Sequence, residues 1–377
     1  MKYSFVLPAY KAAFLREAID SILSQSYADF ELIIVNDQSP EDLTSIVNSY
    51  HDDRIQYYVN EKNIGGHDLV AQWNHCITYA TGKYLILASD DDVYHPQYLE
   101  KMDTLVDKYP EVEVFRPRVQ YINSRGDVLK QDIELEEYMS LISFSHLWIH
   151  RQLLKGIPFY IFSRQALADL GGFVNYPSAW YSDDATVMQL GGKGIVAHNE
   201  ILFSFRNSGI NITSTWNTPA LLLNKLQATE SFYCMFADLM SKLIPSTEQE
   251  KHQQTDICST YHTEKLSWMM WLICSSHKKA IFSCWNILKK IKFGLLPRIL
   301  VAIVLGVALA IATSRSALLR ALFAPLLTII KSTPVASFII LLILWVGRDF
   351  LPSVIVVLMA LPVVCSNVSA GIAQTDK

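Results

Sequence analysis

The amino-acid sequence lacks several features that would assign it to a common protein class. Its net charge is only −4 over 377 residues, so the overall balance gives no reason to expect nucleic acid as a partner. Six cysteines are scattered without CxxC or zinc-ligand spacing, a usage that suits a reducing cytosol better than a disulfide framework. We expect no signal peptide, because Met1 and Lys2 run directly into SFVLPAY, which reads as a strand.

Charged residues are scarce in the last quarter of the chain. Residues 293–377 contain eight of them, whereas residues 1–290 carry charges throughout. The apolar runs Ile299–Ala312 and Val335–Gly347 are each short for a membrane-spanning helix, which needs about 20 residues. An uncharged stretch, Phe350–Gln374, follows them. These runs favour a membrane tail over a soluble domain, and the basic run Lys289–Lys292 would keep the preceding domain in the cytoplasm.

Apolar segments alternate with amphipathic segments in the first part of the chain. Strands are expected at Ser4–Leu7, Glu31–Val35, Ile55–Val59 and Lys83–Ala88, with helices at Ala12–Ser24, Pro40–Tyr50 and Asp68–Ala80. This order predicts a largely parallel sheet with helices on both faces. Ligands of such sheets bind beyond the carboxyl ends of the strands, so functional residues are expected directly after strands.

Candidate binding residues follow the second and third predicted strands. The Asp37 carboxylate could accept a hydrogen bond from a nucleobase N–H, although capping of the next helix by Asp37 and Ser39 explains them equally well. The segment Asn60–Gly66, NEKNIGG, would allow close approach to the backbone, but taken alone an ordinary turn is the favoured interpretation. It is not the GxGxxG fingerprint of dinucleotide-binding folds.

An acidic run, SDDD at Ser89–Asp92, follows the fourth predicted strand. Adjacent carboxylates repel one another, and a hard divalent ion with oxygen ligands, Mg²⁺ or Mn²⁺, would offset that repulsion. Such an ion could also neutralise charge that develops on a diphosphate leaving group. The alternative is a solvated acidic turn that caps the helix beginning near Pro96. We favour the metal, because three aspartates exceed what a cap requires.

A second acidic pair, Asp183 and Asp184, lies at the start of a predicted helix in WYSDDATVMQL. One of the two carboxylates could act as a general base, provided that it reaches the proton and has a suitable pKa. Acidic residues are also favoured at helix N-termini by the helix dipole. The sequence alone supports both interpretations equally.

The ordered set of motifs resembles the family-2 glycosyltransferases of the GT-A fold. The likeness covers about residues 1–215, extends to about residue 290, and implies a Rossmann-like, mostly parallel α/β sheet with helices on both faces. The composition of the tail adds a hydrophobic α-helical membrane tail after this domain. It rests on VLPAYK, FELIIVNDQS, NIGG, WNHCITYATGKY, SDDDVYHPQYLEKM, GGF at 171–173, the Asp183–Asp184 pair and ILFSFRNSGINITS at 201–214. One departure is Trp73, where many family members carry an arginine.

The resemblance implies a role for each matching residue. Asp184 would deprotonate the acceptor hydroxyl, with Asp183 in the preceding acidic position. Asp92 and Asp90 would hold Mg²⁺ or Mn²⁺, although alignment on Pro96 makes Asp91 and Asp92 the pair instead. The residues implied in nucleotide-sugar binding are Pro8, Ala9, Tyr10, Asp37, Asn63, Gly65, Asp90 and Asp91.

The chemistry that this resemblance implies is transfer of a sugar from a nucleoside-diphosphate donor, UDP-linked in most of the family, to a glycan or lipid-linked acceptor. The family usually inverts the anomeric centre by one in-line displacement. The alternative function is that of a transport-related membrane protein, or of an inactive nucleotide-sugar-binding protein, in which the tail is the functional part.

The tail has a resemblance of its own. Residues 295–377 resemble a truncated fragment from the middle of an ABC-transporter permease. The likeness rests on SALLRALFAPLLTIIKSTPVASFIILLILWVG and the segment that follows it. The predicted domains are a catalytic domain at 1–220, a helical extension at 221–292 and transmembrane helices at 293–377. We therefore expect attachment to the inner (cytoplasmic) membrane, with the catalytic domain in the cytoplasm.

Overall fold

A computed structural model describes residues 1–209 and 218–274, together with the isolated residues Thr313, Leu319 and Phe323. The chain divides into two compact units, Met1–Ile281 and Phe282–Lys377. Apart from those isolated residues, the predicted membrane tail and its permease-like segment lie outside the described residues. Among the residues that are described, no helix is both long enough and apolar enough to cross a membrane.

The first half of the sheet is the parallel arrangement that the sequence predicts. Its strands lie in the order β3-β2-β1-β4 and all run parallel. The predicted alternation of strands and helices is confirmed, with ends that differ by a few residues. The elements are β1 (Tyr3–Ala9), α1 (Leu15–Leu23), β2 (Phe30–Asn36), α2 (Leu43–Asn48), β3 (Ile55–Val59), α3 (Leu69–Cys76) and β4 (Tyr84–Leu87).

The second half of the sheet departs from the parallel expectation. Strand β9 runs antiparallel to both β4 and β6, while β10 is parallel to β6, so the sheet is mixed. The elements are β5 (Val93–Tyr94), α4 (Tyr98–Lys108), β6 (Val114–Asn123), β7 (Val128–Gln131), β8 (Tyr138–Met139), α5 (Leu141–Ile149), β9 (Ile161–Ser163), α6 (Arg164–Asp169), α7 (Ser182–Leu190) and β10 (Ile195–Asn207). Short 3-10 helices lie at Ile77–Tyr79, Ile157–Phe159, Pro177–Ala179 and Gly191–Lys193.

The central strands form the core of the domain. Every residue of β2 and β4 is buried, and in β1 only Pro8 is partly exposed. Strands buried on both faces read as continuous apolar runs, which is why ELIIV and YLIL stand out in the sequence. Helix α1 covers the sheet with Leu15, Ala18, Ile19 and Ile22, which recur at helical spacing and are all buried.

Two long helices, α8 (Pro219–Lys242) and α9 (Glu248–Cys274), make up the described part of the predicted helical extension. Phe232 of α8 stacks on Tyr181, with ring centroids 4.5 Å apart, and also packs against Trp148 of α5. Both helices belong to the unit Met1–Ile281. The extension therefore packs against the elements that carry Asp183 and Asp184, while the predicted domain boundaries stay predictions.

The GGF motif connects α3 to the segment before α7. The Asn74 side chain exchanges two hydrogen bonds with the backbone of Phe173: its Nδ2 donates to the carbonyl at 3.1 Å, and its Oδ1 accepts from the N–H at 2.7 Å. Gly172 has a φ of +100°, and a Cβ there would lie 2.5 Å from Asn74 Oδ1. Glycine is therefore needed at residue 172 for both its conformation and its space.

Adjacent glycines allow these two requirements to be separated. Gly171 also has a positive φ, +88°, but its added Cβ would meet nothing within 4 Å. We expect Gly171→Ala to lower the free energy of unfolding by about 1–3 kcal/mol through backbone strain alone. Gly172→Ala should cost more, because the clash also breaks the Asn74 hydrogen bonds, each of which contributes about 1 kcal/mol. Urea denaturation of both variants measures the difference, and equal losses would contradict a role for Asn74.

Candidate active site

The carboxyl ends of β1, β2 and β4 bring the first predicted site residues together. Strand β1 has β2 on one side and β4 on the other, so the strand order reverses at β1, the place where open α/β sheets bind ligands. The backbone N–H of Asp37 donates to the carbonyl of Ala9 at 3.0 Å. Pro8 is partly exposed and Tyr10 is 43% exposed, so the end of β1 reaches the surface here.

The carboxylate of Asp37 is fully engaged by the loop Asn60–Gly66. Its Oδ1 accepts from Asn60 Nδ2 and from the Ile64 N–H, each at 2.8 Å, and its Oδ2 accepts from the Gly65 N–H at 2.7 Å. Asn63 Nδ2 donates to the Asp37 carbonyl at 2.9 Å. The structure thus places Asp37, Asn63 and Gly65 together, and Asp37 shapes the loop. Its contact with a nucleobase stays a prediction.

Close packing explains the first glycine of NIGG. A Cβ on Gly65 would lie 2.9 Å from Asp37 Oδ2, which is closer than real Cβ contacts come. The backbone can approach the carboxylate only because residue 65 has no side chain. The helix-capping alternative for Asp37 is wrong, since the N-cap of α2 is Asp42, whose Oδ1 accepts from the Ser45 N–H.

The acidic run after β4 connects two parts of the site. Asp90 Oδ2 accepts from the backbone N–H groups of Tyr10 and Lys11, each at 2.8 Å. Asp92 is completely buried; its Oδ1 accepts from the Arg206 N–H at 2.8 Å. The alternative in which this run caps the next helix is wrong, because the N-cap of α4 is Gln97. Asp90 therefore lies at the end of β1, whereas Asp92 faces the end of β10.

Burial raises the pKa of all three aspartates. The charge of Asp90 adds to burial and brings the pKa of Asp91 to about 6, while Lys11 and Arg206 oppose that rise. Burial and the charge of Asp91 together raise the pKa of Asp92 well above its usual range. Burial also raises the pKa of Asp90, while the hydrogen bonds from the Tyr10 and Lys11 N–H groups lower it. These are carboxylates whose negative charge is incompletely compensated.

The incompletely compensated negative charge of the three aspartates is suited to a divalent cation. Asp92 Oδ2 is buried and has no hydrogen-bond partner among the described residues. Buried polar atoms without a partner are rare and need an explanation. Mg²⁺ is usually held by one or two carboxylates together with substrate phosphates, so a complete cage of protein ligands is not required. Asp90 is the partly exposed member of the run, and Asp91 and Asp92 are buried behind it.

Arginines near the site are engaged in internal contacts. Arg206 is buried; its Nε donates to the Asp91 carbonyl at 2.8 Å and its Nη2 lies 2.6 Å from Glu17 Oε1. Its guanidinium also lies 4.4 Å from the centre of the Phe14 ring. Arg206 therefore fixes the acidic run to α1. Three further arginines also form ion pairs: Arg116 with Asp132, Arg118 with Glu134, and Arg151 with Glu264.

The second acidic pair occupies the first turn of α7. Asp184 Oδ1 accepts a hydrogen bond from Trp148 Nε1 at 2.6 Å, and the Asp184 N–H donates to Asp183 Oδ1 at 2.9 Å. Both aspartates are half-buried, and these hydrogen bonds hold their side chains in place. Trp148 is itself buried against Phe232 and Phe236, which fixes the direction of its N–H.

A lysine that sequence reasoning missed compensates this pair. The Lys155 ammonium lies 3.8 Å from the centre of the Trp148 ring. Burial and the charge of Asp184 raise the pKa of Asp183 to about 7. Burial also raises the pKa of Asp184, while Lys155 and the Trp148 N–H lower it. A carboxylate with a raised pKa, held at the N-terminus of a helix, is suited to act as a general base.

The first part of the chain is similar to known proteins. Residues 4–169 match the family model "Glycosyl transferase family 2". Protein CgeD of Bacillus subtilis is 31% identical over 134 residues, which is 33% of this chain and 32% of that protein. An uncharacterized glycosyltransferase of Rickettsia prowazekii is 38% identical over 112 residues, 29% of this chain and 34% of that protein. The chain spans about a third of the length of these two relatives.

A solved structure agrees with these matches at the level of the fold. The crystal structure of S. aureus TarS 1–349 in complex with UDP-GlcNAc superposes with a TM-score of 0.55 and 16% identity, over 74% of this chain and 83% of that one. The family match ends at residue 169 and gives no support to the permease resemblance of the tail. Residues 4–169 are therefore similar to glycosyltransferase family 2, and the mixed α/β sheet resembles the GT-A-type fold of that structure.

Proposed function

We propose that this protein transfers a sugar from a nucleoside-diphosphate sugar to a hydroxyl of a glycan or lipid-linked acceptor. The observation that carries the proposal is the Asp183–Asp184 pair, in which Trp148 orients Asp184 and burial raises the pKa of both carboxyl groups. The pair belongs to the same compact unit as the residues similar to family 2. The TarS complex named above contains UDP-GlcNAc, which makes UDP-sugars the first donors to test.

In this proposal the ends of β1, β2 and β4 bind the donor. Tyr10 and the loop held in place by Asp37 would form the wall of the nucleotide pocket. Asp90 and Asp92 would hold Mg²⁺ or Mn²⁺, which neutralises negative charge on the diphosphate leaving group. The hydrogen bonds from Tyr10 and Lys11 to Asp90 fix the carboxylate before any ligand arrives.

Asp184 supplies the base for the chemical step. Its carboxylate accepts the proton of the acceptor hydroxyl as that oxygen forms a bond to the anomeric carbon, and the bond from that carbon to the diphosphate oxygen breaks with its electron pair. A single in-line displacement of this kind inverts the anomeric centre. The Trp148 N–H orients Asp184, and Lys155 favours its charged form before the proton arrives.

Donor binding is the direct test of this function. We expect UDP and a UDP-sugar, in the presence of Mn²⁺, to raise the melting temperature of the full chain, since a ligand of the native state stabilises it by mass action. Release of UDP in the presence of acceptor extracts would then report turnover. ADP-sugars and Mn²⁺ alone serve as controls. Absence of both stabilisation and release across UDP-, GDP- and dTDP-sugars would overturn the proposal.

Lys155 should set the pH dependence of the reaction. The base works as a carboxylate, so the rate should rise as pH rises through the pKa of Asp184, which burial raises above its usual value. Because Lys155 lowers the pKa of Asp184, Lys155→Met should move this rising limb to higher pH. The exposed Lys193→Met is the matched control and should leave the limb in place. A lower rate with an unshifted limb would show that Lys155 acts only in packing.

We further propose that residues 293–377 attach the protein to the cytoplasmic membrane, with the catalytic domain in the cytoplasm. The composition of those residues supports this location. Cell fractionation tests the attachment. Full-length protein recovered without detergent in the soluble fraction would contradict it, and the sugar-transfer proposal would stand unaffected.

A further inference from the structure

Three potential metal ligands meet on the surface between α5 and α9. His146 and His150 are separated by one helical turn, and their Nε2 atoms lie 3.1 Å and 2.6 Å from the same oxygen, Oδ2 of Asp256. Ligand atoms of the three residues all lie within 4.8 Å of one another. In the described parts of the chain, no other group of three histidine, cysteine, aspartate or glutamate side chains converges in this way.

We propose that His146, His150 and Asp256 bind a zinc ion, with the fourth position open to water. Two histidines at i and i+4 on one helix face form a pair that zinc proteins use. Zinc accepts imidazole nitrogen and carboxylate oxygen at about 2.0–2.2 Å in tetrahedral geometry, with three protein ligands where one position stays open. Imidazole selects such metals over Mg²⁺, which prefers oxygen ligands, so this site is chemically distinct from the acidic run.

The existing geometry requires little rearrangement to accept the ion. Tetrahedral zinc places its ligand atoms about 3.3 Å apart, as follows from bond lengths of about 2.0 Å. The observed nitrogen-to-oxygen distances of 2.6 and 3.1 Å are already close to that separation. The two imidazole rings lie 4.7 Å apart between centroids. The side chains of His146, His150 and Asp256 are 26%, 32% and 44% exposed, so an ion can enter from solvent.

Contacts on both sides of the cluster hold the two helices in register. On one side, Ser143 Oγ donates to Gln253 Oε1 at 2.9 Å. On the other, the guanidinium of Arg151 lies 2.7 Å from Glu264 Oε2. Because the two helices are already held together, little conformational entropy is lost when the three ligands meet around an ion. The site is therefore prepared by the fold rather than formed on binding.

The ion would stabilise the element that orients the candidate base. Trp148 lies between the two histidines on α5, and its indole N–H donates to Asp184. Zinc bound to α5 and α9 would reduce local opening of α5, and so keep that N–H directed at Asp184. The zinc site itself does not depend on sugar transfer, so it can be tested whether or not the enzyme proposal holds.

Zinc titration of the purified full chain tests the site. In excess Mg²⁺, which occupies sites made only of oxygen, we expect one Zn²⁺ per chain in competition with a chromophoric chelator. His150→Gln and Asp256→Asn each remove a direct ligand, and affinity should fall by at least the roughly 10–100-fold that loss of an outer-shell partner costs. His252→Gln removes an exposed histidine of α9 and is the matched control; its affinity should equal that of the unchanged protein.

Two further measurements make the test decisive. Co²⁺ should give the visible absorption of a tetrahedral site in the unchanged protein and in His252→Gln, and not in His150→Gln. Zn²⁺ should raise the melting temperature of the same two proteins and leave that of His150→Gln unchanged. Circular dichroism confirms that each variant is folded. Absence of stoichiometric zinc binding by the unchanged protein would overturn the proposal. So would a zinc affinity of His150→Gln and Asp256→Asn equal to that of the unchanged protein.

Discussion

Asp184→Asn should lower the rate of sugar transfer by about 10²–10⁴-fold, the usual contribution of a positioned general base. Asparagine has nearly the same shape, and its Oδ1 can still accept the hydrogen bond that Trp148 Nε1 gives to Asp184. The variant should therefore fold and bind donor as before. The measurement is kcat for UDP release with donor and acceptor saturating, beside donor affinity from thermal shift.

Asp169→Asn provides the control for this result. Asp169 is exposed near the end of α6, and we expect its replacement to leave kcat unchanged. If kcat of Asp184→Asn stayed within a few-fold of that of the unchanged protein, Asp184 would not be the base. A large loss in Asp183→Asn with little loss in Asp184→Asn would transfer the role to the neighbouring carboxylate, which the coupling between the two makes a clear alternative.

Arg116→Met should lower the free energy of unfolding by about 3–5 kcal/mol, because it leaves the partner carboxylate buried without its counter-charge. Arg116 of β6 and Asp132, just beyond β7, form an ion pair in which both side chains are fully buried. Asp132 Oδ1 also accepts from the Leu154 N–H at 3.1 Å, so the pair ties the strands to the segment after α5. Urea denaturation with a constant m-value measures the loss.

Arg125→Met is the matched control for the buried pair. Arg125 lies 3.1 Å from Asp127, and the two side chains are 81% and 61% exposed. Exposed pairs contribute about 0–1 kcal/mol, so this variant should unfold almost as the unchanged protein does. Similar small losses in both variants would mean that Asp132 becomes neutral or hydrated when Arg116 is removed. The difference between the two losses of unfolding free energy therefore measures how well water is excluded from the Arg116–Asp132 pair.

The strand-end residues show what the sequence could predict. Buried strands such as β2 contain a run of apolar residues, here Leu32–Val35, and a turn follows, so the order of the strands can be inferred. From that order, the proximity of Tyr10, Asp37 and Asp90 follows, because carboxyl ends of parallel strands share one edge. The antiparallel strand β9 could not be foreseen: it is three residues long, and nothing local in Ile161–Ser163 sets its direction.

The partners of the second acidic pair could not be read from the sequence. Trp148 lies 36 residues before Asp184, and Lys155 lies in LLKGIPF, which carries no motif. The spacing of His146 and His150 is visible in HLWIH, yet Asp256 is 106 residues beyond His150. Such contacts depend on how α5 packs against α7 and α9. Local patterns indicate what a residue type can do, whereas the packed fold decides which groups it meets.

The contacts of Arg206 with the acidic run and with α1 limit where the domain can be divided. Arg206 lies 114 residues beyond Asp92, yet its backbone and guanidinium hold Asp92 and Asp91, and Glu17 of α1 holds Arg206 in turn. A fragment that ended with the family match at residue 169 would lose this arginine, strand β10 and Asp184. A fragment that keeps these contacts of the acidic run must therefore include Arg206. The recognisable part of the sequence is shorter than the part that the acidic site needs in order to form.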